Sequence, residues 1–395
     1  MAHECKNVIW RDEAVRRVYT LRRRTLAECP TGSVGLGTLS GRTLAVDVIA
    51  DRNLPAWDHA TMDDLAFDAT DECPLSIVSG EVFSESEPPE LDAGKAAEIA
   101  TGAPLPEGAN AVLKREEASV HAGELTGTSI LLGTYVCEQG NNVAAGERLS
   151  PKDAILLDDL GVDSFGVHAP FSTGVLAIGT EIHEERERDL DSAMLAGLVQ
   201  SWGHDGTYAG TIPNDYEQVR DRIDSLAAEN NVVITTGGTS VGHKDYVVRA
   251  PDELGEVLFH RVRVRPGKPI AVAQPPDAVV FAILGKPLGA HIIATLVMRP
   301  FFTGDGTTPT VEATLSTDVG LGPDGFEYAV PVLVDGKSAV PMDHADSPLA
   351  VYGETFDPSV VSSSTRATRA DGLIFTRTQS GEGNTVEVTP YPVVE

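Results

Sequence analysis

The sequence is poor in lysine, and positive charge as a whole is scarce. Only eight of its 30 basic residues are lysine, and they stand against 59 acidic residues, so the formal net charge is −29. A chain this acidic, with no basic stripe, is not expected to bind nucleic acid. The acidic residues are spread along the chain, which favours a surface adapted to high intracellular salt, as in a halophile, over an acidic patch shaped for one partner.

Long apolar runs and cysteine motifs are also missing. No stretch reaches the roughly 18 apolar residues of a membrane-spanning helix, and the first residues lack the apolar core of a signal peptide. The four cysteines show neither a CxxC spacing nor a disulfide framework, so we interpret them as free thiols. These features predict a soluble, cytoplasmic protein with no membrane partner.

The 395 residues divide by pattern into three regions. Residues 1–170 begin with an amphipathic helix over Arg11–Glu28, whose cationic face comprises Arg16, Arg17, Arg22, Arg23 and Arg24, and continue with short strands and turns. Residues 171–305 alternate apolar strands with helices, which predicts a mostly parallel, doubly wound sheet. Residues 306–395 carry short strands between Gly, Pro and Asp turns, which predicts a small β domain. The expected fold class is therefore α/β plus β.

The strongest motif is a glycine-rich run between a buried strand and a helical stretch. It reads Thr235-Thr236-Gly237-Gly238-Thr239-Ser240-Val241-Gly242-His243-Lys244-Asp245-Tyr246. Glycines let backbone N–H groups approach an anion closely, and the N-terminus of a following helix adds a positive dipole end. We interpret the run as a phosphate or oxyanion site; the alternative is a purely structural glycine-rich loop.

Two further turns carry lysines at the predicted carboxyl edge of the same sheet. In Pro266-Gly267-Lys268-Pro269 two prolines fix the loop and limit the entropy lost in presenting the lysine. The other turn is Gly285-Lys286-Pro287. Lys244, Lys268 and Lys286 thus lie in loops expected at the ligand crevice of an open α/β sheet. In so acidic a chain this indicates an anionic ligand, the alternative being three solvated surface lysines.

Carboxylates in three other segments offer oxygen ligands for a magnesium ion. Glu181 follows a predicted strand in Gly179-Thr180-Glu181, and Asp58 and Asp63 lie in the N-terminal region. Taken singly, each is more often a solvated acid, and the turn-dense run that starts at Thr101 is by itself only a structural loop. The histidines at positions 59, 243 and 291 have no metal-ligand spacing, so zinc is not expected.

In this order the motifs resemble those of the MoeA and gephyrin E-domain family of molybdopterin molybdenumtransferases. The shared elements are Met62-Asp63, TGAPxPxGAxAV from Thr101, a G-x-E turn at Gly179, TTGGxSVGxxDY from Thr235 and PGKP from Pro266. The resemblance implies a homodimer of elongated, multi-domain subunits, with a small β-rich domain inserted at about residues 60–138 of an N-terminal dimerisation region. It also implies that the α/β domain binds adenylated molybdopterin, and that molybdate and magnesium (Mg²⁺) drive AMP release and metal insertion.

The resemblance further implies roles for individual residues. Contacts to the phosphate or pterin are expected from Gly237, Gly238, Ser240, Gly242 and Lys244, with Pro266, Gly267 and Lys286 beside them. Asp245 and Glu181 would bind the metal and serve the magnesium-pyrophosphate chemistry, and Lys268 would bind molybdate; these three are the expected catalytic residues. Asp58, Asp63 and Thr101 would come from the other side of the cleft, contributed by the partner subunit.

Several positions depart from the family pattern and keep other functions open. Where the family has Gly, Asp, Asn, Asp, Asn and Ser, this chain has Asp64, Thr180, Ala193, Asn231, Lys286 and Gly289. One alternative is a catalytically impaired paralogue that binds the cofactor precursor or delivers it to other cofactor-biosynthesis proteins. Another is a nucleotide-processing enzyme of the competence-damage type, but that type carries neither the TGAPLPEGA element nor a C-terminal β domain. The motifs do not separate molybdate from tungstate, because the two oxyanions are nearly isosteric.

Overall fold

The computed structural model describes residues 8–127, 130–238, 246–344 and 350–391. Contacts group the chain into two compact units, one of residues 32–167 and the other of the residues before and after it. The three regions expected from the sequence are a different division, which stays a prediction. Within the described ranges, no helix is long and apolar enough to span a membrane.

The first helix, α1, spans Arg11–Glu28, as its spacing predicts. Ala14, Val18 and Leu21 are fully buried along one face. The cationic face predicted for this helix includes Arg22, but the structure buries this residue. Its side chain is 7% exposed, and its Nη2 donates to the carbonyl of Phe302 at 3.3 Å. Position 22 follows Leu21 on the helix, so its long side chain extends beside the buried face.

Residues 32–167 form a β-rich unit with the helix α2 (Ala154–Asp159). Its strands are β1 (Thr31–Val34), β2 (Val48–Ile49), β3 (His59–Ala60), β4 (Asp64–Phe67), β5 (Leu75–Val82), β6 (Lys95–Ile99), β7 (Ala111–Leu113), β8 (Val120–His121), β9 (Glu124–Leu125), β10 (Val136–Cys137), β11 (Arg148–Leu149) and β12 (Phe165–His168). The main sheet has the order β7-β4-β6-β5-β9-β8. Leu65 and Phe67 of β4 pack into one apolar cluster and Ala66 into another, so both faces of this sheet are covered.

The α/β part of the other unit follows directly. Its elements are β13 (Ser172–Ile178), α3 (Thr180–His183), α4 (Ser192–Ser201), β14 (Asp205–Ile212), α5 (Tyr216–Glu229), β15 (Val232–Gly237), α6 (Tyr246–Leu254), β16 (Glu256–His260), β17 (Val264–Arg265), β18 (Ile270–Gln274), β19 (Val279–Ile283), α7 (Pro287–Ile293), a π-helical turn (Ala294–Met298) and α8 (Arg299–Thr303). The sheet order is β14-β13-β15-β19-β18-β16. Helices α4 and α7 pack with one face of the sheet and α5 with the other, which confirms the doubly wound prediction.

The parallel pattern does not extend across the whole sheet. Strands β14, β13, β15 and β19 are parallel, whereas β18 pairs antiparallel with both β19 and β16. The link between β18 and β19 is a short turn, and a parallel pair needs a crossover of about a dozen residues or more. Helix α7 begins at Pro287, where proline's fixed φ suits a first turn. It widens into the π turn before Pro300, which lacks an amide hydrogen.

The chain ends in a small β domain. Its elements are β20 (Val311–Leu315), β21 (Glu327–Asp335), β22 (Ser338–Pro341), α9 (Pro358–Val361), β23 (Gly372–Thr376) and β24 (Thr385–Pro390). Strand β21 pairs with both β22 and β23, and the order β21-β22-β20-β24-β23 therefore closes on itself as a small barrel. Strand β17 adds in parallel to β21 and so ties the α/β part to the barrel.

Candidate functional site

A cavity of about 820 Å³ lies at the carboxyl edge of the α/β sheet. Its wall is formed by the segments that follow β13, β15 and β19, by the turn between β17 and β18, and by α9 of the β domain. This edge is where ligands bind in open α/β sheets. The expected site residues that line it are Glu181, Gly237, Gly238, Pro266, Gly267, Lys268 and Lys286. The structure thus brings together segments up to about a hundred residues apart; their roles stay predictions.

Two glycines close the floor of the cavity. Gly237 ends β15 with φ +87°, and a Cβ there would lie 2.2 Å from the carbonyl oxygen of Ile178 on β13. Gly285 follows β19, and its Cβ would lie 2.9 Å from the Cα of Gly237. Only glycine tolerates both the positive φ and this approach of backbone to backbone. The three strand ends are therefore packed closely, and Gly238 lies in the cavity wall beside them.

The turn between β17 and β18 places two cations at the wall. Pro266 and Gly267 are buried, and Gly267 has φ +121° with its Cβ position 2.8 Å from Cγ1 of Ile293. Arg265 and Lys268 flank them. The Cζ of Arg265 lies 3.8 Å, and the Nζ of Lys268 5.4 Å, from the ring centroid of one phenylalanine, Phe326.

Lys286 brings a third cation from the turn before α7. It precedes Pro287, and its Nζ donates to the carbonyl oxygen of Ser359 at 3.4 Å. Ser359 belongs to α9 and lines the cavity wall with Ser362, while the Ser359 hydroxyl donates to Oδ1 of Asp357 at 2.5 Å. Ammonium, guanidinium and hydroxyl groups are the donors that bind phosphate and similar oxyanions, so this part of the cavity suits an anion.

Carboxylates also line the cavity. Glu181 lies in the short helix α3, and its Oε1 is 2.8 Å from the position that a Cβ on Gly179 would take. Asp191 is 5% exposed; its Oδ2 accepts from the Thr236 hydroxyl at 3.0 Å, and its Oδ1 has no hydrogen-bond partner. Burial raises the pKa of Asp191 to about 6, although the bond from Thr236 acts in the other direction.

Part of the expected site lies outside the described residues. This applies to Ser240, Gly242, Lys244 and Asp245. In the ranges that are described, no three His, Cys, Asp or Glu side chains are grouped to hold a metal ion. Glu181 is thus the one expected metal ligand with a described position, and its carboxylate oxygens are of the type that magnesium prefers.

The remaining expected residues belong to the β-rich unit of residues 32–167. Asp63 Oδ1 accepts from the backbone N and the hydroxyl of Thr101 at 2.7 and 2.9 Å, which lowers the pKa of Asp63. Asp58 Oδ1 accepts from the backbone N of Gln139 at 2.7 Å. Asp63 and Thr101 are therefore hydrogen-bonded neighbours, as expected if both contribute to the same site. Their placement in the cleft stays a prediction.

Three of the family departures have structural partners here. Asn231 Oδ1 accepts from the backbone N of Ser172 at 3.0 Å and so joins the starts of β15 and β13. The Thr180 hydroxyl accepts from the backbone N of Asn214 at 3.1 Å. Asp64 has φ +121°, a conformation that favours the family's glycine, and its Oδ2 accepts from the backbone N of Arg115 at 2.7 Å. These residues are accommodated without supplying a charge to the cavity.

Sequence reasoning missed four residues of the cavity or its support. Arg265 stands directly before Pro266, so the cationic signal was present in the motif, and Asp191 stands at the start of a predicted helix. Ser359 and Phe326 come from the β domain, about 60 to 90 residues beyond the PGKP turn. A run of three serines, Ser362 to Ser364, is the only local signal for that contribution.

Comparison with known proteins agrees with this arrangement. Residues 11–160 match the family model described as "MoeA N-terminal region (domain I and II)", and residues 174–304 match the one described as "Probable molybdopterin binding domain". The chain is 28% identical over 288 residues to a molybdopterin molybdenumtransferase of Synechococcus elongatus, covering 66% of this chain and 72% of the relative. It is 28% identical over 323 residues to a molybdopterin molybdenumtransferase of Bacillus subtilis, covering 73% of each chain.

A solved structure extends the likeness to the full length. The molybdopterin biosynthesis MoeA protein of Pyrococcus horikoshii is 26% identical, with a TM-score of 0.60, and the match covers 98% of this chain and 100% of that one. A second structure of a MoeA protein from the same organism, at 20% identity and a TM-score of 0.68, shares the fold over the same 98%. The alternative of a nucleotide-processing enzyme that consists of the α/β domain alone does not explain why residues 11–160 match the MoeA N-terminal region. The order of the two matched regions and the full-length likeness show that this chain belongs to the MoeA family of molybdopterin molybdenumtransferases.

Proposed function

We propose that this protein inserts molybdate into adenylated molybdopterin, with release of AMP, to form molybdenum cofactor. The observation that carries the proposal is that Arg265, Lys268 and Lys286 line the same cavity as the close-packed glycines at the strand ends. A substrate with phosphate groups and a tetrahedral dianion both need such donors. Membership of the MoeA family supports the same reaction.

The residues of the chain act mainly by position and charge. Backbone N–H groups at Gly237 and Gly238 approach the phosphates, because no side chain stands in the way. Lys268 and Arg265 bind the oxyanion, and their loop is fixed by Pro266, Gly267 and the pairing of β17 with β21. Pre-arranged donors in a loop that does not reorganise are the main source of rate in phosphoryl-transfer sites. Tungstate is expected to bind to the same donors.

We further propose that magnesium takes part, held by Glu181 and Asp245. Glu181 is in the cavity wall and offers carboxylate oxygens, whereas Asp245 lies outside the described residues. A cation held by these carboxylates would neutralise charge on the leaving AMP. The acids at Asp189 and Asp191 also line the cavity, and burial raises the pKa of Asp191 to about 6.

The reaction is tested with purified protein and adenylated molybdopterin. AMP release is followed by chromatography, with molybdate or tungstate, and with or without magnesium. We expect AMP to appear only when magnesium and one of the oxyanions are both present. Asp245→Asn should bind the precursor and remain folded but release no AMP, since asparagine can still cap the following helix. Wild-type turnover in Asp245→Asn would remove Asp245 from the mechanism.

The departures at Thr180, Asn231 and Lys286 favour a second candidate, a protein that binds and delivers the precursor without converting it. Two acids of the family pattern are replaced there by neutral residues, and a lysine replaces an asparagine. The same assay separates the two. Tight binding of adenylated molybdopterin without AMP release under every condition would identify the delivery protein.

We also propose that the protein is a homodimer whose partner subunit contributes Asp58, Asp63 and Thr101 to the cleft. The resemblance to the MoeA family supports this proposal. Asp63 and Thr101 are also hydrogen-bonded to each other, so they would enter the cleft together. Light scattering across salt concentrations should give the mass of two chains. Mixing a Lys268→Ala chain with an Asp63→Ala chain should restore part of the activity that each lacks alone, because one cleft of the mixed dimer is then complete.

A further inference from the structure

The β domain holds the cationic loop of the cavity in a fixed register. Strand β17 pairs in parallel with β21, with Val264 opposite Glu327 and Arg265 opposite Tyr328. The backbone N of Glu327 donates to the carbonyl of Arg263 at 2.8 Å, and Nη1 of Arg263 donates to the carbonyl of Gly325 at 3.1 Å. The segment that carries Phe326 is therefore tied to the segment before Pro266 on both sides of the ring.

Side chains at positions 326 to 328 point alternately to the two sides of the chain at the start of strand β21, and each side contacts a different pair of cations. Glu327 is 4% exposed and pairs with Arg11 at 3.1 Å and with Arg377 at 3.8 Å. Its neighbours Phe326 and Tyr328 are on the opposite side, since successive residues of a strand face opposite ways. That side is where Arg265 and Lys268 lie, on the ring of Phe326. The buried carboxylate thus pairs with Arg11 and Arg377 and not with the cations at the ring of Phe326.

The ring of Phe326 holds two like charges without neutralising either. The face of an aromatic ring carries partial negative charge and attracts a cation within about 6 Å, and both Arg265 and Lys268 meet that distance. A carboxylate in the same place would hold the cations as well but would cancel charge that an anionic ligand needs. The hydroxyl of Tyr328 donates to the carbonyl of Pro323 at 2.9 Å. Burial raises the pKa of Tyr328, and the nearby charge of Arg265 acts to lower it.

We propose that Phe326 is a positioning residue that holds Arg265 and Lys268 together as one oxyanion-binding pair. The inference rests on the proposed function for the identity of the oxyanion. The C-terminal β domain then contributes to the binding site through an apolar ring, in addition to the residues of α9 that line the cavity. The anion binds to the cations, and the ring fixes where they are before it arrives.

Stepwise fluorination of the ring at position 326 tests this directly. Phenylalanine is replaced by its mono-, di- and trifluoro analogues, which keep the shape of the ring and progressively remove negative charge from its face. Molybdate and tungstate affinities of the full-length protein are measured by calorimetry. We expect the affinity to fall with each fluorine and to be about three- to tenfold weaker at the last step, since a cation–π contact contributes about 0.5–2 kcal/mol.

Phe375 supplies a matched control in the same domain. It is half-buried like Phe326, and the Cζ of Arg11 lies 5.3 Å from its ring centroid. Neither Phe375 nor Arg11 is among the residues that line the cavity. Its fluorinated series should leave oxyanion affinity unchanged. Among natural residues, Phe326→Leu should weaken binding and Phe326→Tyr should restore it, with melting temperatures confirming that both remain folded.

The outcomes separate the inference from the proposed function. Equal affinity across the fluorinated series, with a wild type that binds molybdate, overturns the role of Phe326 and leaves molybdate insertion standing. A fall of the same size in Phe326→Tyr and Phe326→Leu also overturns it, because the ring would then act only through packing. A wild type that binds neither oxyanion but folds normally overturns both proposals.

Discussion

At the scale of single residues, Lys268 is where the site should be most sensitive. Its ammonium group stands at the cavity wall on a loop that two prolines and a buried glycine keep in place. Lys268→Ala removes one charge-assisted contact from a loop that will not rearrange to replace it. We expect molybdate affinity to fall by about 10- to 100-fold, or roughly 1.5–3 kcal/mol, while adenylated molybdopterin binds nearly as before.

Calorimetry with molybdate and with the precursor measures both effects. Lys337→Ala is the control, because this lysine is exposed at the turn between β21 and β22 and removes the same charge from the same unit. If Lys268→Ala and Lys337→Ala bind molybdate equally, the role assigned to Lys268 is wrong and its loop serves the fold.

Asp191 predicts a pH effect on stability. Its pKa is raised to about 6 in the folded protein from an ordinary value of 3.8, so the folded state binds this proton more tightly than the unfolded state. The stabilisation is complete below pH 3.8 and is lost as the pH rises through 6. Asp191→Asn keeps the acceptor for Thr236 and does not titrate. Its free energy of unfolding relative to wild type should therefore increase by about 2 kcal/mol between pH 4 and pH 7.5.

Urea unfolding of both proteins at the two pH values gives this difference, and the titration of all other groups cancels in the comparison. A difference that is independent of pH would mean that the carboxyl of Asp191 is ionised in the cavity throughout. In that case it would be available as a further ligand for a cation.

At the scale of elements, the approach of β13, β15 and β19 depends on Gly237. Alanine at this position would need φ +87° and would place its Cβ 2.2 Å from the carbonyl oxygen of Ile178. We expect Gly237→Ala to lower the free energy of unfolding by about 2–5 kcal/mol, as the sum of backbone strain and steric overlap. Gly210 is the control: it lies in the same sheet with φ +93°, but no atom lies within 4 Å of its Cβ position.

Gly210→Ala should therefore show only the cost of the backbone conformation, about 1–2 kcal/mol. The difference between the two variants in urea unfolding isolates the contact between the strand ends. Equal losses would show that the strands separate to admit a methyl group. The floor of the cavity would then be less rigid than the proposed phosphate site requires.

Local patterns predicted the elements well and their long-range contacts poorly. The helix over Arg11–Glu28 was predicted to the residue, because apolar spacing and the end of the pattern are both local signals. The turns at Gly237, Lys268 and Lys286 were correctly expected at one edge, since the carboxyl ends of parallel strands meet there. The antiparallel β18 was missed, because an apolar strand has the same pattern in either direction.

The part played by the β domain was also beyond local reasoning. Nothing in the residues around Phe326 indicates that its ring lies against a loop about 60 positions earlier; the contact arises from the register of β17 with β21. The burial of Arg22 has the same origin, because the carbonyl it contacts belongs to Phe302 on α8. Interactions of this kind are fixed by the tertiary fold and leave no periodicity in the sequence.

At the scale of the whole molecule, the dominant feature is the net charge of −29. Its ion pairs among the described residues are largely on the surface, for example Arg115 with Glu98 at 2.7 Å and Arg148 with Asp47 at 2.7 Å, where all four side chains are at least 40% exposed. Such pairs contribute little each. Mutual repulsion among the unpaired acids is therefore not offset locally, and it opposes the compact state unless salt screens it.

We expect stability to rise with salt for this reason. The screening length falls from about 10 Å at 0.1 M to roughly 3 Å at 1 M, so distant acids cease to repel while close pairs are only partly weakened. Between 0.1 and 2 M KCl the free energy of unfolding should increase by about 2 kcal/mol, or roughly 2–3 °C in melting temperature. Calorimetry measures it, and a variant with Glu85, Glu87 and Glu90 changed to glutamine is the control. These three acids are exposed within one acidic stretch, so their neutralisation should raise stability at low salt and reduce the dependence on KCl.

Salt also strengthens the burial of apolar surface, but that effect would be the same in both proteins. A melting temperature that rises equally with KCl in the two would therefore assign the effect to apolar burial and contradict the repulsion argument.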